Sequence, residues 1–122
     1  MFILVINPGS TSTKIAVYEN EKPMLLRSIT HSAEELRQFN DITEQFSFRK
    51  ELVISELRRM NIDFNFKAVI GRGGLAKPLS GGVYEINERM MSDTRNARHK
   101  HACDHGCLIA YELAREMPGC RS

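Results

Sequence analysis

The sequence is short of cysteine, of net charge and of long apolar runs, and each shortage narrows what the chain can be. Three cysteines in 122 residues, Cys103, Cys107 and Cys120, are odd in number and too few for a disulfide framework. Reduced thiols in a cytoplasmic protein are the expectation. Lys and Arg total 17 against 15 Asp and Glu, a net charge of +2, and the two signs alternate along the chain. The one-sided basic footprint of a nucleic-acid binder is missing, so no nucleic-acid partner is expected. The apolar opening Met1-Phe2-Ile3-Leu4-Val5-Ile6 has no basic flank and runs into Asn7-Pro8-Gly9. It is too short for a signal peptide or a membrane span, and no membrane partner is expected. Repeats, low-complexity tracts and linkers are also lacking. What remains, 42% hydrophobic and 26% charged, suits one domain with a modest core.

The order of elements follows from periodicity and punctuation. Residues 2–6 form an apolar run rich in β-branched side chains, and Ile15-Ala16-Val17-Tyr18 a second, with the polar stretch Asn7 to Thr13 between them. These read as two strands of a hairpin. A turn over Glu19-Asn20-Glu21-Lys22-Pro23 leads to a third strand over residues 24–30. Ser32 with Glu35, and Asp41 with Glu44, match capping boxes. The first predicts a short helix, the second a longer one to about residue 60, with Ile42, Phe46, Val53, Leu57 and Met60 as its apolar stripe. Ala68-Val69-Ile70 is a short buried strand running into Gly71-Arg72-Gly73-Gly74, and Val83-Tyr84-Glu85-Ile86 a fifth extended segment. Asn87 caps a predicted helix over Glu88 to Arg95, and Asp104 another, with Leu108, Ile109, Leu113, Ala114 and Met117 as its stripe. Pro118-Gly119 stops it. The succession predicts an α/β fold.

The hairpin stretch Asn7-Pro8-Gly9-Ser10-Thr11-Ser12-Thr13-Lys14 carries the most chemistry. Two residues suffice to join antiparallel strands; this connection holds four hydroxyls, a glycine and a lysine. Gly9 permits close approach of backbone to a ligand, hydroxyls and amides donate to phosphate oxygens, and Lys14 neutralises developing charge. It is not a P-loop, because the G-x-x-x-x-G-K-[ST] spacing is absent and the loop leads into a strand rather than a helix. From the residues alone two readings stand: a nucleotide-phosphate cradle, or a solvated Ser/Thr-rich turn. Arg72, on its residues alone, reads as a surface arginine in a glycine loop. His99, His101, Cys103, His105 and Cys107 alternate strictly, which is not a usual zinc spacing. Packed thiols near a helix start are the better reading.

Three blocks raise a family resemblance. Residues Ile3 to Lys14 resemble the first phosphate-binding hairpin of the acetokinase family, the acetate and butyrate kinases of the actin-like ATPase superfamily, and Pro8 after Asn7 favours the butyrate branch. Ala68 to Leu75 with Lys77-Pro78 and Gly81-Gly82-Val83-Tyr84 resembles the second block. His101-Ala102-Cys103 to Gly106, with Leu108 to Glu112, is similar to the family's His-Ala-Ser-Asn-x-Gly element, although Cys103 and Asp104 stand where serine and asparagine are usual.

That resemblance implies a ribonuclease-H-like, actin-like ATPase domain whose mixed sheet opens with three antiparallel strands. It implies phosphoryl transfer between ATP and a short-chain fatty acid, butyrate, giving acyl phosphate and ADP with Mg2+, the carboxylate attacking directly. By position, Asn7 lies near the metal and the transferred phosphate. Gly9, Ser10, Thr11, Ser12 and Lys14 hold nucleotide phosphates. Arg72, Gly73, Gly74 and His101 line the acyl cleft, with Arg72 also stabilising the transferring group. Family members are about three times this length and have two related domains, so residues 1–122 are expected to be an incomplete amino-terminal domain. The next strand, carrying an acidic residue near the magnesium, is expected to begin beyond them. Little activity is then expected from this chain alone. The alternative is a non-catalytic module that self-associates through an unpaired sheet edge, and a homo-oligomer is expected.

Overall fold

In the computed structural model, residues 1–40, 42–72, 82–96 and 104–122 are described. Strand β1 (Phe2–Pro8) pairs antiparallel with β2 (Ser12–Glu19), which pairs antiparallel with β3 (Lys22–Thr30). Strand β4 (Ala68–Gly71) lies parallel to β1, giving the sheet order β3-β2-β1-β4. The sheet is thus mixed, and the α/β class expected from the sequence is observed.

The strands form where the apolar runs predicted them, with instructive differences. The ladder continues past the apolar residues, Asn7 opposite Lys14 and Pro8 opposite Thr13, so the connection is only Gly9-Ser10-Thr11. Strand β3 starts at Lys22, earlier than expected, and includes Pro23. Proline lacks a donor, but β3 is an edge strand and its ladder with β2 is irregular between Val17 and Tyr18, where a missing donor costs little.

Two of the helices, the first and the third, obey their capping signals. Helix α1 (Ala33–Arg37) carries the full capping box: the Ser32 Oγ accepts from the Glu35 amide at 3.1 Å, and Glu35 accepts from the Ser32 amide at 2.9 Å. After a 3-10 turn over Ile42–Gln45 comes helix α2 (Phe46–Arg59); the other proposed cap, Asp41, lies outside the described residues. Helix α3 (Glu88–Arg95) starts where Asn87 accepts from the Met90 amide at 2.9 Å. Helix α4 spans Asp104–Arg115, so Asp104 is its first residue rather than its cap. Gly119, at φ 72°, turns the chain after it.

Alternation along the strands assigns two faces. Leu4 and Ile6 of β1, Ile15 and Val17 of β2, Leu25 of β3 and Val69 of β4 are buried against Val53 and Leu57 of α2 and Ile109, Ala110 and Leu113 of α4. At roughly 25 cal/mol per Å² of apolar area, this layer is the main source of stability. The opposite face is less covered: Ile3 and Val5 are half-buried, and Leu26 and Ile70 exposed.

Two further features lie at the margin of the sheet. The segment Val83–Ile86 is extended, as expected, and among the described residues it joins no strand of the sheet; Val83 is 91% exposed, and the Ile86 amide donates to the Ser122 carbonyl at 2.9 Å. Arg121 bridges Ala68 in parallel, its amide donating to the Lys67 carbonyl at 3.0 Å and its carbonyl accepting from the Val69 amide at 2.8 Å.

Candidate functional site

The hairpin candidates fall on one end of the sheet. Pairing sets Asn7 directly opposite Lys14, and alternation puts both, with Ser12, on the face turned away from α2 and α4. Strand β4 ends beside them: Gly71 pairs with Ile6, and the Arg72 amide donates to the Ile6 carbonyl at 3.0 Å. Arg72 therefore follows the carboxyl end of β4 next to the carboxyl end of β1, the edge at which open α/β sheets bind ligands. Lys14, Arg72, Ser10 and Thr11 are exposed, and Asn7, Gly9 and Ser12 half-buried. Gly73, Gly74 and His101 lie outside the described residues, as do His99 and Cys103. Of the alternating cluster, His105 and Cys107 are buried in α4.

One of the four hydroxyls of the hairpin is not available to a ligand. Thr13 is fully buried, its Oγ1 2.8 Å from His31 Nε2 and accepting from Arg49 Nη1 at 3.2 Å. Thr13 belongs to the inward face by the same alternation that turns Ser12 and Lys14 outward.

Beneath the loop lies a residue the sequence reading passed over. Arg49, fully buried on α2, donates from Nη1 to the carbonyls of Gly9 at 2.7 Å and Ser12 at 3.1 Å. From Nη2 it donates to the Ser10 carbonyl at 3.2 Å, and Gln45 Oε1 accepts from its Nε and Nη2 at 3.1 and 3.0 Å. Burial lowers its pKa from the ordinary arginine value. The Thr11 carbonyl accepts from the His31 amide at 2.8 Å, and the Gly9 amide donates to the Ser12 carbonyl at 2.7 Å. A signal for Arg49 did exist. It stands three residues after Phe46 and four before Val53, filling the gap in the apolar stripe of α2.

Arg72 is held by close packing of two backbones. A Cβ at Gly71 would collide with the Gly106 carbonyl, and one at Gly106 with the Arg72 carbonyl. The first turn of α4 thus rests on the end of β4, and only glycines allow that approach.

Known proteins give this edge a context. Over 120 residues, 98% of the chain, the sequence is 60% identical to a protein of Bacteroides thetaiotaomicron named a probable butyrate kinase. It is 53% identical to another so named from Phocaeicola vulgatus over 95% of the chain, and 44% identical to butyrate kinase 1 of Clostridium acetobutylicum over 94%. The chain is a homologue of the butyrate kinases. It spans about a third of those relatives' length, 34%, 33% and 33% respectively. No family model matches the chain. Among the described residues no helix is long and apolar enough to cross a membrane.

Proposed function

We propose that the chain is the amino-terminal part of a carboxylate kinase of the actin-like ATPase fold, transferring a phosphoryl group between ATP and a short-chain fatty acid such as butyrate in the cytoplasm. The observation that carries this reading is the register of the hairpin. Asn7 and Lys14 face one another on the open face at the carboxyl end of β1, beside Arg72 at the end of β4, in a chain 60% identical to a probable butyrate kinase.

The geometry suits the chemistry. A carboxylate attacks phosphorus directly, so the protein's work is to align donor and acceptor and to neutralise the equatorial oxygens. Ser10, Thr11 and Ser12 donate to nucleotide phosphates over Gly9, and Lys14 sits against the transferring group. Arg72 draws in the acid, which Gly73, Gly74 and His101 would help to enclose. Mg2+ suits the exposed hard oxygens of Ser10 and Thr11 and the Asn7 amide, since it keeps several waters and binds mainly through phosphate oxygens. Bound there, it would supply charge neutralisation between phosphates. Residues 1–122 span about a third of the relatives' length, and little turnover is the expectation for them alone.

The test is acyl phosphate formation from ATP and butyrate, trapped as hydroxamate, by this chain and by a version extended to the relatives' length. Activity confined to the extended form supports the reading; activity in neither refutes it. The exposed edge of β3, with Met24 51% and Leu26 61% exposed, favours self-association as a second property. Sedimentation showing a monomer at high concentration would exclude it.

A further inference from the structure

A loop that binds anions must present amides and hide carbonyls. In the segment Gly9–Ser12 all four carbonyls are taken up from within: those of Gly9, Ser10 and Ser12 by Arg49, and that of Thr11 by the His31 amide. Among the described residues no acceptor meets the amides of Ser10 and Thr11. The hairpin is therefore polarised: its carbonyls are engaged from within, and the Ser10 and Thr11 amides are left for an incoming acceptor.

The guanidinium responsible carries a charge that no described group cancels. Its partners, Gly9, Ser10, Ser12, Thr13 and Gln45, are all neutral oxygens. None of the described ion pairs includes Arg49. Burying an uncompensated cation is costly, and a neutral core would be the cheaper way to support a turn. A P-loop supplies positive potential from a helix terminus, which a loop leading into β2 cannot do.

We propose that Arg49 is a positioning residue for phosphate binding, orienting the Gly9–Ser12 backbone from beneath and lending its charge through the loop to the anion without touching it. Gln45 fixes the guanidinium plane, and Thr13 with His31 closes the cradle on the far side. This inference rests on the reading of the hairpin as a phosphate site.

The experiment titrates magnesium tripolyphosphate into the nitrogen-15-labelled chain and follows the Ser10, Thr11 and Ser12 amides by NMR. In the unmodified chain these resonances shift and saturate. Arg49→Met, with a cooperative melt retained, binds at least tenfold more weakly, and Arg49→Lys recovers part of the loss. Arg49→Met binding within twofold of the parent would overturn the proposal, while failure of the parent itself to bind overturns the phosphate reading and the proposal with it. Should Arg49→Met not fold, the Arg49 Nε signal in the parent gives the answer. It stays protected from solvent and nearly unshifted at saturation, whereas a shift as large as that of the loop amides makes Arg49 a direct ligand and refutes the positioning role.

Discussion

Replacing Gly106 by alanine should destabilise the domain although it puts a better helix former into α4. Alanine in a helix interior is favoured over glycine by about 1 kcal/mol, and the third position of α4 gives at most that gain. Against it stands the new methyl, which would meet the Arg72 carbonyl and amide well inside van der Waals contact. Both neighbours are backbone, and the carbonyl side of β4 is held by the ladder to β1, so neither yields as a side chain would. Overpacking of this kind costs roughly 1–3 kcal/mol, with the upper end expected where backbone must move. The net loss is then on the order of 1–2 kcal/mol, a fall of several degrees in melting temperature for a domain this size. Gly82→Ala is the control, because a Cβ there comes no nearer than 3.7 Å to the Tyr84 ring. Urea unfolding followed by circular dichroism reads both. A Gly106→Ala protein as stable as the parent, or more stable by the helix-propensity increment, would show that α4 and β4 are not in backbone contact. Arg72 would then lose its support.

Further perturbations separate site from scaffold. Lys14→Ala, at an exposed position, should change unfolding free energy by less than about 0.5 kcal/mol; in the version extended to the relatives' length it should cut turnover by roughly a hundredfold, and unchanged turnover removes Lys14 from the site. Asn87→Ala removes the acceptor for the Met90 amide and should cost about 1 kcal/mol, read from the denaturation midpoint. Burial first, and then the Arg49 charge, lower the His31 pKa from 6.5, so the folded protein holds this imidazole neutral. Its contribution to stability is complete above pH 6.5 and is lost as pH falls through the depressed folded value, because the unfolded chain binds the proton first. The midpoint difference between parent and His31→Gln should narrow on acidification from pH 7.5 to 5, and a constant difference would contradict a neutral buried His31.

Local signals carried most of the architecture into view before the structure. Ser32 with Glu35 and Asn87 were legible because each cap is a contact within three residues, and Leu108, Ile109 and Leu113 because helical spacing alone selects a buried face. What could not be read depended on partners far along the chain. Pro23 looked like a turn residue, and only the edge position of β3 makes it acceptable in a strand. Val83–Ile86 has strand composition, yet its Ile86 amide finds Ser122 and not a sheet neighbour. In the candidate site, Asn7, Ser12 and Lys14 were visible as chemistry, and their shared face follows from period-two alternation once the hairpin is accepted. Thr13 was counted with the other hydroxyls of the connection, and its burial could not be read because it depends on α2 and His31. Arg49 was passed over for the complementary reason, that arginine is rarely fully buried and composition argues for the surface.

The burial of Arg49 also explains why the hairpin is longer than a strand connection needs. A two-residue turn offers too few carbonyls to satisfy a guanidinium, whose five N–H donors lie in a fixed fork. The three-residue connection with its flanks presents the carbonyls of Gly9, Ser10 and Ser12 within 2.7–3.2 Å of that fork. Each partner solves the other's problem: the loop gives a buried cation neutral acceptors, and the cation gives the Gly9 and Ser10 carbonyls a partner and the Ser12 carbonyl a second one. Removing either side leaves the other unsatisfied at about 1–3 kcal/mol per group. The conformation of the loop is therefore bound to the docking of α2 some forty residues later. On this argument the amides that face the ligand are in place before any ligand arrives, which is the condition for electrostatic stabilisation without reorganisation at the moment of transfer.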